Sequence, residues 1–189
     1  MKKIISLILV AMMALSLAAC GVDEAAVTTT VEVADAAELL TNVWADYAAE
    51  EKYPAAGGDL ANTVMEAPAK YAVDAEEGLD YMLAVPESAV SMIDDAASLV
   101  HMMNQNTFTS GAFHLADAAN QQAFADAVKE NLSVRHWLCG QPDLFKIYAV
   151  GDTYVVSVFG ASDLFATFDA KLTAEYGEAV TVLYEESLI

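Results

Sequence analysis

The sequence predicts an α+β domain, with helices packed on a mainly antiparallel sheet and an N-terminal helix ahead of it. Three observations predict it. Two pairs of strand-like runs are each followed by a segment with apolar residues at helical spacing. The second pair is joined by Gly151-Asp152, a hairpin dipeptide. Before either pair, Leu39, Leu40, Val43, Trp44 and Tyr47 form an apolar helical stripe. Each helix shows one such stripe, so each needs a sheet face to cover it.

The first helix is expected over 36–51. Asp35 and Glu38 have the spacing of a capping box, and Pro54 with Gly57-Gly58 ends the pattern. Residues 53–73 carry two prolines, two glycines and no period, which predicts an ordered loop with at most a short strand. Asp74 and Glu77 repeat the capping spacing and predict a short helix to Leu83. Pro86 suits the first turn of another, PESAVSMI. Strands follow at 97–104 and 107–115, then a helix from Asp117 to about Leu132 with Phe124, Ala127, Val128 and Leu132 on one side. Strands at 144–150 and 153–159 flank the hairpin, with Lys146 and Ser157 at positions expected to face solvent. Ser162 caps a helix bearing Leu164, Phe165, Phe168 and Leu172. Gly177 stops it, and a strand over 179–184 closes the chain. The strand–strand–helix order occurs twice, as a duplicated unit would give. The identity between 123–132 and 164–176 is low, and the architecture is the same with or without a duplication. Runs such as VHMM and YVVSVF are apolar on both faces, which implies a second cover, supplied by the N-terminal helix.

Residues 1–19 read as an export signal. Lys2 and Lys3 precede the apolar run 4–18, which is shorter than the roughly 20 residues a membrane-spanning helix needs. The run ends in Leu17-Ala18-Ala19-Cys20, which resembles the lipobox of bacterial lipoproteins, with Cys20 the acylated residue; an ordinary signal peptide cut after Ala19 is the alternative. Two acyl chains anchor stably where one does not. Residues 20–34 then form the acylated cysteine and a Thr-rich acidic tether, and 35–189 one globular domain. Loss of the signal leaves six basic residues against 28 acidic ones, a formal charge of −22. That excludes nucleic acid as a partner, since phosphate binding rests on Lys and Arg. It serves either as a solubilising exterior or to steer a cationic partner such as a basic peptide.

With Cys20 acylated, Cys139 has no partner in the chain. In RHWLCG, His136 stands three residues before Cys139, the spacing of a reactive thiol beside an imidazole. The segment also follows a helix and precedes Gly140 and Pro142, where the dipole opposes a thiolate, so a buried structural cysteine is the competing reading. Between the first strand pair, Met102, Met103, Asn104, Gln105, Asn106, Thr107 and Thr109 gather amides, hydroxyls and adaptable thioethers. They read either as turn chemistry or as a polar binding rim with apolar contacts. His101, His114 and His136 show no metal-ligand spacing, DAEEGLD lacks the alternation of a calcium loop, and no phosphate loop, GxSxG or HExxH occurs, so no cofactor and no metal is expected.

Taken together, GGD (57–59), IDDAASLVHMMNQNTFTSGAFH (93–114), WLCG (137–140) and YVVSVFG (154–160) resemble an uncharacterised lipoprotein family of gram-positive gut bacteria. Some of its members carry the label "bacteriocin transport accessory protein". The likeness covers about residues 38–185 and brings no catalytic residues with it. It implies a surface-anchored accessory role beside a peptide exporter. The expected function is a non-enzymatic, membrane-anchored extracytoplasmic protein that binds a cationic peptide or an export-machinery protein. The alternatives are a thiol-dependent enzyme using Cys139 and His136, and a purely structural envelope protein.

Overall fold

The computed structural model describes residues 30–137 and 140–189, so residues 1–29, including Cys20, and Cys139 lie outside the described residues. Helix α1 spans Ala36–Ala45. The Asp35 side chain accepts the Glu38 N–H at 2.9 Å, and the Glu38 carboxylate reaches back to the Ala34 N–H, so the predicted cap forms. The helix ends before the predicted 51. The Tyr47 ring turns inward against Trp44, 4.8 Å between centroids, and Tyr53 closes on Trp44 at 5.1 Å.

The predicted loop 53–73 contains three short strands, β1 (Ala55–Gly57), β2 (Val64–Met65) and β3 (Ala69–Lys70). At two or three residues each, they are too short for side-chain alternation to reveal. Helix α2 covers Gly78–Leu83, but the Asp74–Glu77 capping box does not form. Glu77 instead accepts the Leu60 N–H at 2.9 Å and the Tyr71 hydroxyl at 3.1 Å. Helix α3 is Glu87–Val90, with Pro86 at its cap, and ends short of Ile93. Strand β4 runs Ile93–His101, offset from the predicted 97–104. Its early acids are held by partners. Asp95 lies 3.0 Å from Lys70 and accepts the Ala36 N–H at 2.8 Å, and Asp94 lies 2.6 Å from His114.

Strand β5 is Phe108–Leu115, and Asp117 caps a single 3-10 turn that leads into α4, Gln121–Val134. Ala125 joins Phe124, Val128 and Leu132 in the core where Ala127 was expected. Strands β6 (Leu144–Val150) and β7 (Tyr154–Gly160) form the predicted hairpin. Helix α5 is Ser162–Tyr176. Ser162 does not cap it. Its N–H and hydroxyl both donate to the Asp143 carboxylate, at 2.9 and 2.8 Å, so the anchoring acid comes from outside the helix. Strand β8 is Val180–Ser187.

The strands form one antiparallel sheet in the order β2-β1-β4-β5-β7-β6-β8, with β3 also on β4. Register places Ala97, Ala112 and Val156 in one row, and Ser98, Gly111 and Ser157 in the next, on the opposite face. Both faces are covered. Helices α1 and α5 bury Leu40, Val43, Phe165 and Phe168 against Phe108 and Val158. Helices α2, α3 and α4 bury Leu83, Ala89, Phe124 and Leu132 against Phe113 and Phe145. The strand–strand–helix order recurs, with α4 and α5 on opposite faces; a rotation about the sheet normal would have kept them on one.

Lys146 and Ser157 do not mark a solvent face. They point to opposite sides and both are covered. Lys146 has 12% of its side chain exposed, between Asp169 at 3.3 Å and Glu185 at 3.2 Å. Burial opposes its charge, but the two carboxylates outweigh burial and hold its pKa above the ordinary lysine value. The Ser157 hydroxyl is buried without a hydrogen-bond partner among the described residues.

Because each face has its own core, Phe124→Ala and Phe168→Ala should each cost about 3–5 kcal/mol in urea unfolding, with little change in slope. A cost near zero at either position would show that its face is not core.

Candidate functional site

The β4–β5 connection sorts the predicted binding residues into two groups. Asn104 accepts the Asn106 N–H at 3.0 Å, and Asn106 donates its side-chain N–H to Gly140 O at 2.7 Å. Thr107 accepts the Ala161 N–H on its carbonyl at 2.7 Å. Thr109 lies inside the sheet with its hydroxyl on Gln105 O at 2.9 Å, so it is not part of any rim. Asn104, Asn106, Thr107 and Thr109 therefore build the turn, as Asx chemistry predicts. Met102, Met103 and Gln105 face outward, and Met103 is 79% exposed.

Two clefts meet at Gln105. The first holds about 250 Å³ and is walled by Leu60, Met65, Met82, Val100 and Met102 over the β1 backbone. Met65, Ala56 and Val100 are register partners across β2, β1 and β4, so they share one sheet face, and Met82 comes down from α2. The second cleft holds about 360 Å³ and brings the polar side chains of Asn104, Asn106, Arg135 and His136 beside Tyr81 and Trp137. Arg135 is fixed there. It donates to the Asp80 carboxylate at 2.7 Å and to the Asp80 and Tyr81 carbonyls at 2.7 and 3.1 Å, while lying 5.7 Å over the Trp137 ring. His136 is exposed on this wall, and Cys139, its predicted partner, lies outside the described residues.

A third, acidic hollow of about 470 Å³ shares Leu60 with the methionine cleft and is bordered by Asp59, Asp74, Glu76 and Glu77. The GGD stretch makes the wall between them. A Cβ on Gly57 would stand 2.2 Å from Ala69 N, and Gly58 takes φ +90 with no room for a side chain beside Asn62 O. Asp59 then ties the loop together. Its carboxylate accepts the Ala61 and Asn62 N–H groups at 2.9 and 2.8 Å, and the Ala72 N–H at 3.2 Å. Burial pushes its pKa up, but the donors of Ala72, Asn62 and Ala61 outweigh burial and hold it below the ordinary 3.8.

The basic residues are engaged elsewhere. Lys70, Lys129, Arg135, Lys146 and Lys171 all sit in ion pairs, and Lys52 lies 5.0 Å over the Trp44 ring. None of them borders the acidic hollow. His101 stacks on Tyr53 at 5.2 Å and His114 pairs with Asp94 near the other end of β4, so the two are not brought together. Among the described residues, no three His, Cys, Asp or Glu side chains are placed to hold a metal ion, and no helix is long and apolar enough to cross a membrane.

Leu60, Met65 and Met82 join the site without having been singled out in the sequence, whereas Asp74 and Glu76, read there only as a helix cap and as part of the calcium-like stretch DAEEGLD, border its acidic hollow. The only sequence signal for Leu60 and Met65 is their place as apolar residues inside the Gly- and Asn-rich loop GGDLANTVM, where no buried element was expected, and Met82 carries none. The chain matches no family model, no curated protein and no solved structure.

Asp59→Ala should destabilise the protein by about 2–3 kcal/mol at neutral pH by orphaning backbone donors. A depressed carboxyl pKa contributes stability above its unfolded value and loses it as pH falls through the folded one. The difference between wild type and variant should therefore shrink below pH 3.8. Denaturant unfolding at a series of pH values checks both statements; a difference that grows on acidification contradicts the assignment.

Proposed function

We propose that the protein is a lipid-anchored, extracytoplasmic binding domain for a cationic peptide or protein partner, and that it has no catalytic role of its own. The observation that carries this reading is the exposed apolar surface around the methionine cleft. Leu60, Val64, Met65, Tyr81, Met102 and Met103 are large apolar side chains left at least 46% exposed on the segments bordering the two clefts. Exposed apolar patches with a polar border mark interaction sites. Thioethers suit variable partners because they are flexible and polarizable. The lipobox-like Cys20 supports anchoring, and the charge of −22 after loss of the signal supports a basic partner. The resemblance to lipoproteins labelled as bacteriocin transport accessory proteins points the same way.

Two measurements test the reading. Titration calorimetry with cationic and neutral amphipathic peptides should show tighter binding of the cationic ones at low ionic strength, with the advantage falling at high salt. Equal binding of both at low salt would count against it. Cys20→Ser should move the protein from the membrane to the soluble fraction and abolish labelled palmitate incorporation. Unchanged fractionation would remove the anchor.

A further inference from the structure

The methionine cleft and the acidic hollow are neighbours across the GGD wall, and Leu60 lines both. Their sizes and chemistry differ in an informative way. At about 250 Å³ the methionine cleft falls below the usual range for a whole small-molecule ligand, roughly 300–1,000 Å³, and suits a single large apolar side chain. Within the hollow, two of the four carboxylates are already in use: Asp59 holds its own loop, and Glu77 holds the Leu60 N–H and the Tyr71 hydroxyl. Asp74 and Glu76 remain, both exposed, with no lysine or arginine beside them in the hollow among the described residues. The hollow is therefore negative and uncompensated at the border of an apolar slot.

Resting on the binding function proposed above, we infer that the site reads a pair of adjacent side chains, one apolar and one basic, in a peptide segment that crosses Leu60. The apolar side chain enters between Met65, Met82 and Met102. The basic one lies against Asp74 and Glu76. Charge complementarity selects this occupant over a neutral segment, because the rim offers acceptors and no donor cation. It also separates the site from the neighbouring second cleft, where Arg135 already neutralises Asp80. A membrane surface is disfavoured as the occupant, since anionic headgroups would meet the same carboxylates. Leu60, 58% exposed, lines both subsites and sets the spacing the ligand must match.

The test uses the full-length protein and a synthetic peptide that repeats Leu-Lys in a Gly/Ser sequence, with two control peptides carrying Ser for Leu or Gln for Lys. Binding is measured by calorimetry at low ionic strength. Both controls should bind more weakly. The double substitution Asp74→Asn/Glu76→Gln should weaken the Leu-Lys peptide by about 3- to 10-fold and erase the preference for Lys over Gln, leaving that for Leu over Ser. The double substitution Met65→Gln/Met102→Gln should do the reverse. All four positions are exposed, and unchanged thermal unfolding confirms that the variants fold. If the peptide binds wild type and both double variants alike, the two-subsite reading is overturned while the binding function stands. If no peptide binds wild type, both fall.

Discussion

Every residue of β7 from Tyr154 to Gly160 is buried, because α1 and α5 cover one face of the sheet and α4 with α2 and α3 covers the other. A strand covered on both sides can carry polar groups only where they find local partners or tolerate none. Ser98 donates its hydroxyl to Gly58 O at 2.9 Å, Tyr148 donates to Asp169 at 2.8 Å, and Lys146 is gripped by two carboxylates. The methionine cleft and its neighbour lie at the end of the sheet where β4 turns into β5 and where β1 and β2 add a short fringe.

That fringe is held by very few groups. Strands β1, β2 and β3 contribute seven residues in all, and their pairings alone would be marginal. Three tethers fix them. Asp59 gathers the N–H groups of 61, 62 and 72, Ser98 holds Gly58 from the central sheet, and the Trp44 indole N–H donates to Glu66 O at 2.9 Å. The wall of the methionine cleft is thus set by polar contacts from the core side, while the thioethers of Met65 and Met102 stand exposed on it.

Legibility in the sequence followed the range of the interaction. The Asp35 and Asp117 caps and the Gly151-Asp152 hairpin were readable because acceptor and donor lie within a few residues of one another. The Asp74–Glu77 cap had the same local pattern and failed because Leu60 and Tyr71, distant in sequence, take the Glu77 carboxylate. The start of β4 was missed because the predicted strand began at Ala97; Lys70, Ala36 and His114 satisfy Asp94 and Asp95, just ahead of it, only after folding. Within the candidate site, Met102 and Gln105 were visible as an odd polar and thioether run. Met65 and Met82 were not, because nothing local distinguishes a methionine that lines a cleft from one that fills a core. Thr109 was misplaced for a related reason: its strand position was clear, but its cover was not.

Strand β8 ends the sheet order opposite β2, and its outer backbone edge is unpaired among the described residues. Eight residues of open strand are a template for self-association. Near its end stand Glu185 and Glu186, whose carboxylates lie against Lys146 and Lys129 of the same chain. A second copy adding along this edge would have to desolvate these ion pairs as it closed. Charged side chains at the end of an open edge thus raise the cost of edge-to-edge association.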